Sequence, residues 1–350
     1  MIAPNGLGHF RRQIEILSRV LARKADIRIH VLCAQFQYAI TRDWDLAVRF
    51  FAEPRVTWSE GVLDPGVGWS TDPQRYDDGR LSAWMERLGR VPELRDARLV
   101  ISDNLAGVLA YRSDAILAGS FLWGDILLTA YPQNEAIALF AEQERSLLAR
   151  HKPQMICVRD IAMPAVLRDT HPLTADWMCE HPVALPRPRP TIPRVGLLGG
   201  ASGAADALLG RLARVLTRSG RYELALPSTL SVAVPEAIPF WHRREDYAGL
   251  SLAICRSGIG TVTSCITEGV PMIALHEGQC NPELSHVGER LAAMGVAVHA
   301  GADPHGKTIE MAVESVLGEP LAEQMRQRIL DLPRDGLNQA VDMIVARLVS

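Results

Sequence analysis

Apolar and polar positions follow two periods along this chain, and the switch between them recurs in the same order twice. Met1-Ile2-Ala3 is a very short apolar strand running into Pro4-Asn5-Gly6-Leu7-Gly8-His9. Ile14, Leu17, Val20 and Leu21 then fall at helical spacing, and Ile27 to Cys33 reads as the next strand. Strand, helix and strand in that order imply a parallel sheet. The first strand is short enough to suggest that a few residues ahead of Met1 belong to it. Leu99-Val100-Ile101 is a short strand ending at Ser102-Asp103-Asn104, and Ala115 to Phe121 is another. A helix carrying Ala138, Leu139, Glu142, Leu147 and Leu148 follows. Trp44 to Arg95 is weakly patterned. Within it Gly61 to Gly79, rich in glycine, proline and aspartate, reads as a long surface loop.

Pro182, Pro186, Pro188, Pro190 and Pro193 cannot sit together in a helix or a central strand. They mark a boundary. Beyond it Val195 to Leu198 is a new first strand, turning at Gly199-Gly200-Ala201-Ser202-Gly203 into a helix over Ala204 to Leu216. The second half thus opens as the first does, which predicts two similar α/β domains. The expected division is 1–181, a linker over 182–194, a second domain over 195–335, and a last amphipathic helix over 336–350.

Composition narrows the field. The chain has 350 residues, 48% apolar and 22% charged, enough for two cores of ordinary size. A net charge of −3 gives no reason to expect nucleic acid or an anionic membrane. No stretch reaches the roughly 20 uncharged apolar residues of a membrane span, and no signal-peptide pattern opens the chain. Six scattered cysteines without a Cys-x-x-Cys pair read as reduced thiols of a cytoplasmic protein. Only Lys24, Lys152 and Lys307 among 37 basic residues are lysine, a bias that a G- and C-rich genome explains.

The chemistry concentrates in Ile254 to Asn281. An apolar run, Leu250 to Ile254, ends in Ser257-Gly258-Ile259-Gly260-Thr261. A helix-length segment, Gly269-Val270-Pro271, the run Met272 to Leu275 and the polar loop Glu277-Gly278-Gln279-Cys280-Asn281 follow. A glycine turn at a helix start leaves amides free to face an anion, and the helix dipole favours one. Gly199 to Gly203 is a second such turn, without the Lys-Ser/Thr of a P-loop or a full Gly-x-Gly-x-x-Gly, so ATP and NAD are poor candidates. His9, in a glycine turn at a strand end, has the near-neutral imidazole that accepts a proton; the plain alternative is a hydrogen-bonded turn histidine. Asp103 follows a strand and suits either a partner for an imidazole or a helix cap. Asp43-Trp44-Asp45 imitates a metal motif but lies in a helix-like stretch, so no metal is expected.

The turn-and-helix layout resembles the nucleotide-sugar site of GT-B glycosyltransferases, especially the N-acetylglucosaminyltransferase of lipid II synthesis and the UDP-glycosyltransferases. Their signature runs Arg-Ser-Gly or His-Gly-Gly, Gly-Thr, Gly-Val-Pro, Gln and Asn. Gly6, Gly8, His9 and Arg12 also resemble the Gly-x-Gly-His-x-x-Arg of a nucleotide-sugar hydrolase. The resemblance implies two Rossmann-like domains facing across a cleft, with the last helix crossing back to the first domain. It implies His9 as base and Asp103 as the carboxylate that orients it. Donor binding falls to Gly200, Ser202, Gly203, Trp241, His242, Arg256, Ser257, Gly258, Gly260, Thr261, Glu277, Gln279 and Asn281. The acceptor falls to Asn5, Gly8, Arg11, Arg12, Phe121, Trp123 and Asp125, although Phe121 to Asp125 equally suit a core edge with a helix-capping aspartate and the two arginines a solvated face.

Where many of these enzymes place a glutamate on the ribose, this chain has Ser264, with Glu268 one turn later. That leaves uridine or thymidine open as the base. The expected activity is metal-independent, inverting transfer of a hexosyl or glycuronosyl group, UDP-sugars favoured, to a small acceptor in bacterial natural-product or antibiotic biosynthesis. Its narrowest form joins UDP-glucuronate to cytosine. A hydrolase using water and a non-catalytic nucleotide-sugar-binding protein are the alternatives. No cofactor beyond the nucleotide sugar, no nucleic acid and no stable membrane insertion are expected; a homodimer is compatible.

Overall fold

The computed structural model describes the chain except residues 5, 40–43, 61–71, 78, 181–190, 201–202, 232–233, 279–280, 319 and 350. Most of the expected loop over 61–79, four of the five linker prolines and Asp43 lie outside the described residues. The chain divides into two compact units, Met1–Met178 with Asp335–Ser350, and Cys179–Arg334.

In the first unit β1 (Ile29–Cys33) pairs in parallel with β2 (Val56–Glu60). A second parallel sheet runs in the order β3 (Ile101–Asp103), β4 (Ile116–Ala118), β5 (Gln154–Val158) and β6 (His171–Ala175). The opening apolar residues join the two. Ile2 N–H donates to the Leu32 carbonyl (2.9 Å) and Asp103 N–H donates to the Met1 carbonyl (2.9 Å). That short segment leads straight into the helix Gly6–Arg23, which buries Phe10, Ile14 and Leu21 against Val31, Cys33 and Phe50. Helix-ward of the strand ends is where open α/β sheets bind ligands. The sequence pattern missed β5 and β6. β5 is a continuous apolar run without alternation, and β6 carries Pro172, tolerated because β6 is the edge of its sheet.

The second unit is one parallel sheet of six strands, ordered β12-β11-β10-β7-β8-β9. Here β7 is Arg194–Leu198, β8 Glu223–Leu226, β9 Ile238–Pro239, β10 Leu252–Arg256, β11 Met272–His276 and β12 Ala297–Ala302. The order reverses between β7 and β10, the doubly wound arrangement whose switch point holds ligands. Leu252 pairs with Val195 and Cys255 with Leu198, so the two glycine turns leave adjacent strand ends. The strands contribute buried Val195, Leu197, Leu252, Ile254 and Ile273. The helix Asp206–Ser219 covers them with Leu208, Leu209, Leu212 and Leu216.

The final helix, Gly336–Val349, packs in the first unit on Gly6–Arg23 and β6. Gln339 reads both sides of Asp176: its Oε1 accepts from the Asp176 N–H (2.8 Å) and its Nε2 donates to Oδ2 (2.8 Å). A Cβ on Gly336 would lie 2.1 Å from the Asp176 carbonyl oxygen. Only glycine lets the helix start so close.

Glu144 is among the polar groups set into the first unit's interior. Glu144, 4% exposed on the helix Glu135–His151, accepts a 2.7 Å hydrogen bond from Gly124 N–H. Burial pushes its carboxyl up to about 8; the Gly124 bond opposes the rise and the Asp125 charge adds to it. The unfolded carboxyl titrates near 4.5, so its contribution to stability is present below that pH and is lost as pH rises through about 8. Glu144→Gln keeps an acceptor for Gly124 and removes the titration. Thermal melts from pH 4 to 9 should show the variant melting several degrees above the wild type at pH 8, the gap closing toward pH 4. A constant gap across that range would reject the assignment.

Candidate functional site

The best-defined cluster of charged side chains gathers where the helix Gly6–Arg23 meets the end of β3. His9 lies within the first turn of that helix, not in a turn ahead of it, and Arg11 and Arg12 follow one step later. His9, Arg12 and Gln13 fall at i, i+3 and i+4, so one helix face carries all three toward Asp103. Asp103 is fully buried. His9 Nδ1 lies 2.8 Å from its Oδ1, Arg12 donates to the same oxygen (3.0 Å), and Gln13 Nε2 donates to Oδ2 (3.2 Å). Burial alone would raise this carboxyl, but the Arg12 and His9 charges and the bonds from His9 and Gln13 outweigh it and hold it at about 2. Asp103 is therefore ionised at neutral pH. An ionised carboxylate only accepts, so neutral His9 carries its proton on Nδ1 and leaves the Nε2 lone pair free. This geometry favours the orienting role of Asp103 over a helix cap. Arg12, expected to meet a substrate anion, is instead committed to Asp103. Gln13 was not foreseen, though its helical spacing from His9 was visible.

The other acceptor-side residues are less uniform. Phe121 is buried, its ring edge-on to His9 at 5.9 Å and to Trp123 at 4.9 Å. Both aromatics belong to the hydrophobic core, which favours the core-edge alternative over an acceptor contact. Asp125 is half-buried in the first turn of the helix Trp123–Ala130; burial raises its carboxyl. Gly8 sits in the first helix beside His9, and the Arg11 guanidinium lies over Trp44 at 5.8 Å. Asn5 is outside the described residues.

In the second unit the helix Ile259–Glu268 starts directly after β10. Gly258, Gly260 and Thr261 sit half-exposed at this start, where the first N–H groups of a helix have no internal partner. Ser257 is different. Its side chain is fully buried, and both its N–H (3.1 Å) and its hydroxyl (3.3 Å) donate to the Leu275 carbonyl. It fastens β10 to β11 and is removed from the ligand-facing set. Gly200 and Gly203 both have positive φ, 77° and 67°, which suits glycine; Ser202 lies outside the described residues.

Arg256 and Glu277 leave neighbouring strands and form a closed pair. Arg256 Nε lies 3.0 and 2.8 Å from the two carboxylate oxygens, and its NH2 group 2.7 Å from Oε1. Gly278 N–H donates to Asp303 (2.9 Å), a partner the sequence did not announce. Asn281 caps the helix Pro282–Ala293 by accepting from Leu284 N–H (3.3 Å) and is 4% exposed, so its expected sugar contact is corrected to a cap. Gln279 is outside the described residues. Glu268 is buried against Arg244, and Ser264 returns its hydroxyl to the Gly260 carbonyl (3.1 Å). Trp241 is 61% exposed; Asp246 accepts from the N–H groups of Trp241 (2.8 Å) and Arg243 (3.0 Å), bracing the turn. His242 takes a φ of 59° and its Nδ1 lies 3.0 Å from the Tyr247 hydroxyl. Among the described residues no cluster of three or more metal-ligating side chains occurs, and no helix is long and apolar enough to cross a membrane.

No protein-family model and no curated protein match this chain. Solved structures do. The calicheamicin glycosyltransferase CalG4 is similar over 99% of this chain and 97% of its own, with a TM-score of 0.64 and 16% identity. A UDP-glucosyltransferase from Polygonum tinctorium is similar over the full length of both chains, at 0.67 and 10%. The spinosyn rhamnosyltransferase SpnG, complexed with thymidine diphosphate, is similar over 97% and 96%, at 0.63 and 14%. At these identities the likeness speaks for architecture: the chain has the GT-B fold, two Rossmann-like units built on parallel sheets.

Proposed function

We propose that this protein is a glycosyltransferase that moves a sugar from a nucleoside diphosphate to a small acceptor. The observation that carries the reading is the buried His9–Asp103 pair at the helix start. His9 Nε2 accepts the proton of an acceptor hydroxyl or amine. The acceptor oxygen or nitrogen then bonds to the anomeric carbon as the carbon–oxygen bond to the diphosphate breaks, and the diphosphate leaves with that electron pair. Asp103 holds the imidazole's direction and stabilises the imidazolium that forms. Amides at Gly258–Thr261, with Gly200 and Gly203 on the adjacent strand end, receive the charge developing on the diphosphate. These groups supply the stabilisation without a metal.

The exposed Trp241 ring offers a face for the base, which suits uracil and thymine alike. UDP-glucosyl and thymidine diphosphate chemistry both occur among the similar folds. Within this reading we retain UDP-glucuronate and cytosine as the narrow substrate pair. Of the two arginines expected to face a uronate, Arg12 is held by Asp103, which leaves Arg11 for that role. Incubation of both compounds with the protein, followed by mass spectrometry, should yield cytosylglucuronate; absence of product removes that pair.

Replacing His9 with alanine should lower kcat about 10²–10⁴-fold while calorimetric affinity for UDP or thymidine diphosphate stays within about twofold. Near-normal turnover would eliminate His9 as the base. Asp103→Asn should cost turnover on the same order, because an amide no longer fixes the Nδ1–H tautomer. It should also cost stability, by about 2 kcal/mol from a carboxyl shifted from 3.8 to about 2. That contribution is complete above pH 4 and is lost as pH falls through about 2. Denaturant melts of both proteins should therefore differ at pH 7 and converge in acid.

A further inference from the structure

We infer that Asn104 is a positioning residue for His9, holding in one piece the two groups that contact the imidazole. The inference rests on the reading of His9 as the base. Asn104 follows Asp103 directly, is fully buried, and takes a φ of 53°, a left-handed conformation that asparagine tolerates better than most residues. Its backbone N–H donates to the Ala118 carbonyl (2.8 Å). Its side-chain NH2, in the orientation its surroundings require, donates to the carbonyls of Ala118 (3.1 Å) and Phe121 (3.2 Å). One residue thus ties the end of β3, which carries Asp103, to the end of β4 and to the loop after it, which carries Phe121.

Those two segments supply the carboxylate on His9 Nδ1 and the aromatic edge against its ring. The fit between them is close. Gly119, at a φ of 144°, leaves the space that the Asn104 amide fills, since a Cβ there would lie 1.4 Å from it. Ser102 adds a second tie from the same strand, its hydroxyl donating to the Leu105 carbonyl (2.9 Å). With the Asn104 side chain removed, Asp103 keeps its bonds from Arg12 and Gln13 and β3 stays paired with β4, but the Phe121 carbonyl loses its hydrogen bond to β3's end. The imidazole then samples orientations in which Nε2 no longer points in one direction.

Asn104→Gly preserves the backbone conformation and deletes the tie. Asn104→Asp preserves shape and sets a carboxylate oxygen against two carbonyls. Three readouts separate positioning from mere stability: kcat, UDP affinity, and the ring resonances of His9 against those of exposed His171 at pH 7. The inference expects kcat to fall about 10–100-fold in Asn104→Gly, with UDP affinity within twofold. It also expects the His9 resonances to shift or broaden while those of His171 stay fixed, and Asn104→Asp to be no better. Unmoved His9 resonances in folded Asn104→Gly, or kcat within twofold of wild type, would overturn it. If the wild type shows no transfer, the proposed function fails and the resonances alone decide the role of Asn104. If Asn104→Asp does not fold, Asn104→Gly decides.

Discussion

A buried carboxylate is the constraint around which the first unit is organised. Asp103 has no access to water, and an ionised group so placed is strongly destabilising unless its oxygens are occupied. Three side chains from one helix face occupy them. That solution fixes more than the charge. It sets the rotation of the helix Gly6–Arg23 about its axis, because only one rotation points positions 9, 12 and 13 at β3. It also sets the helix's distance from the sheet, through Met1–Ala3, which hydrogen-bond to β1 and β3 at once. The core residues Phe10 and Ile14 lie on the remaining buried face and enforce the same rotation through packing. Packing and electrostatics agree, and His9 is the side chain whose free nitrogen that agreement directs.

The second unit solves a different problem with the same topology. Its polar side chains near the strand ends are largely engaged with the protein itself: Ser257 with Leu275, Asn281 with Leu284, Glu268 with Arg244, and Arg256 with Glu277. Among the described residues, main chain at the start of the helix Ile259–Glu268 and the Trp241 indole face outward. Fixed amides at a helix start cost no rotamer entropy on binding and bring no countercharge of their own, so they suit an anion that must be held and then released. The Arg256–Glu277 pair is the exception, a neutral unit that can offer either sign to a ligand by opening.

The sequence made the architecture legible because the signals that encode it are local. Strand, glycine turn and helix stand in that order from Arg194 onward, as expected; in the first half Met1–Ala3 hydrogen-bonds to β1 and β3 without being assigned as a strand, and Gly6 and Gly8 lie within the helix. β5 and β6 escaped because a buried apolar run and a proline-bearing edge carry no period of their own. The site was legible where spacing along one element decides it, as with His9, and where a strand end places a residue, as with Asp103. It was misread where the partner comes from a distant strand. Nothing in the sequence around Arg12 says that a carboxylate 91 residues away will claim it. Nor does Ser257, at the centre of the most suggestive motif, reveal that its hydroxyl points back into the sheet.

These misreadings share a cause. A motif records which residue types recur at a turn, whereas burial decides which atoms of the turn face a ligand. In this chain Gly200 and Gly203, with positive φ, and the helix-start residues Gly258–Thr261 stay at the surface, while Asn281 turns inward to accept from the Leu284 N–H and Ser257 to donate to the Leu275 carbonyl of β11. Each inward hydrogen bond is what allows the neighbouring amides to remain outward, because a strand end that frayed would lose their alignment. On the proposed reading, the polar side chains of the motif act on a ligand through the backbone they hold. A hydroxyl or amide that resembles a binding group in sequence is, in this fold, a clamp on the adjacent main chain.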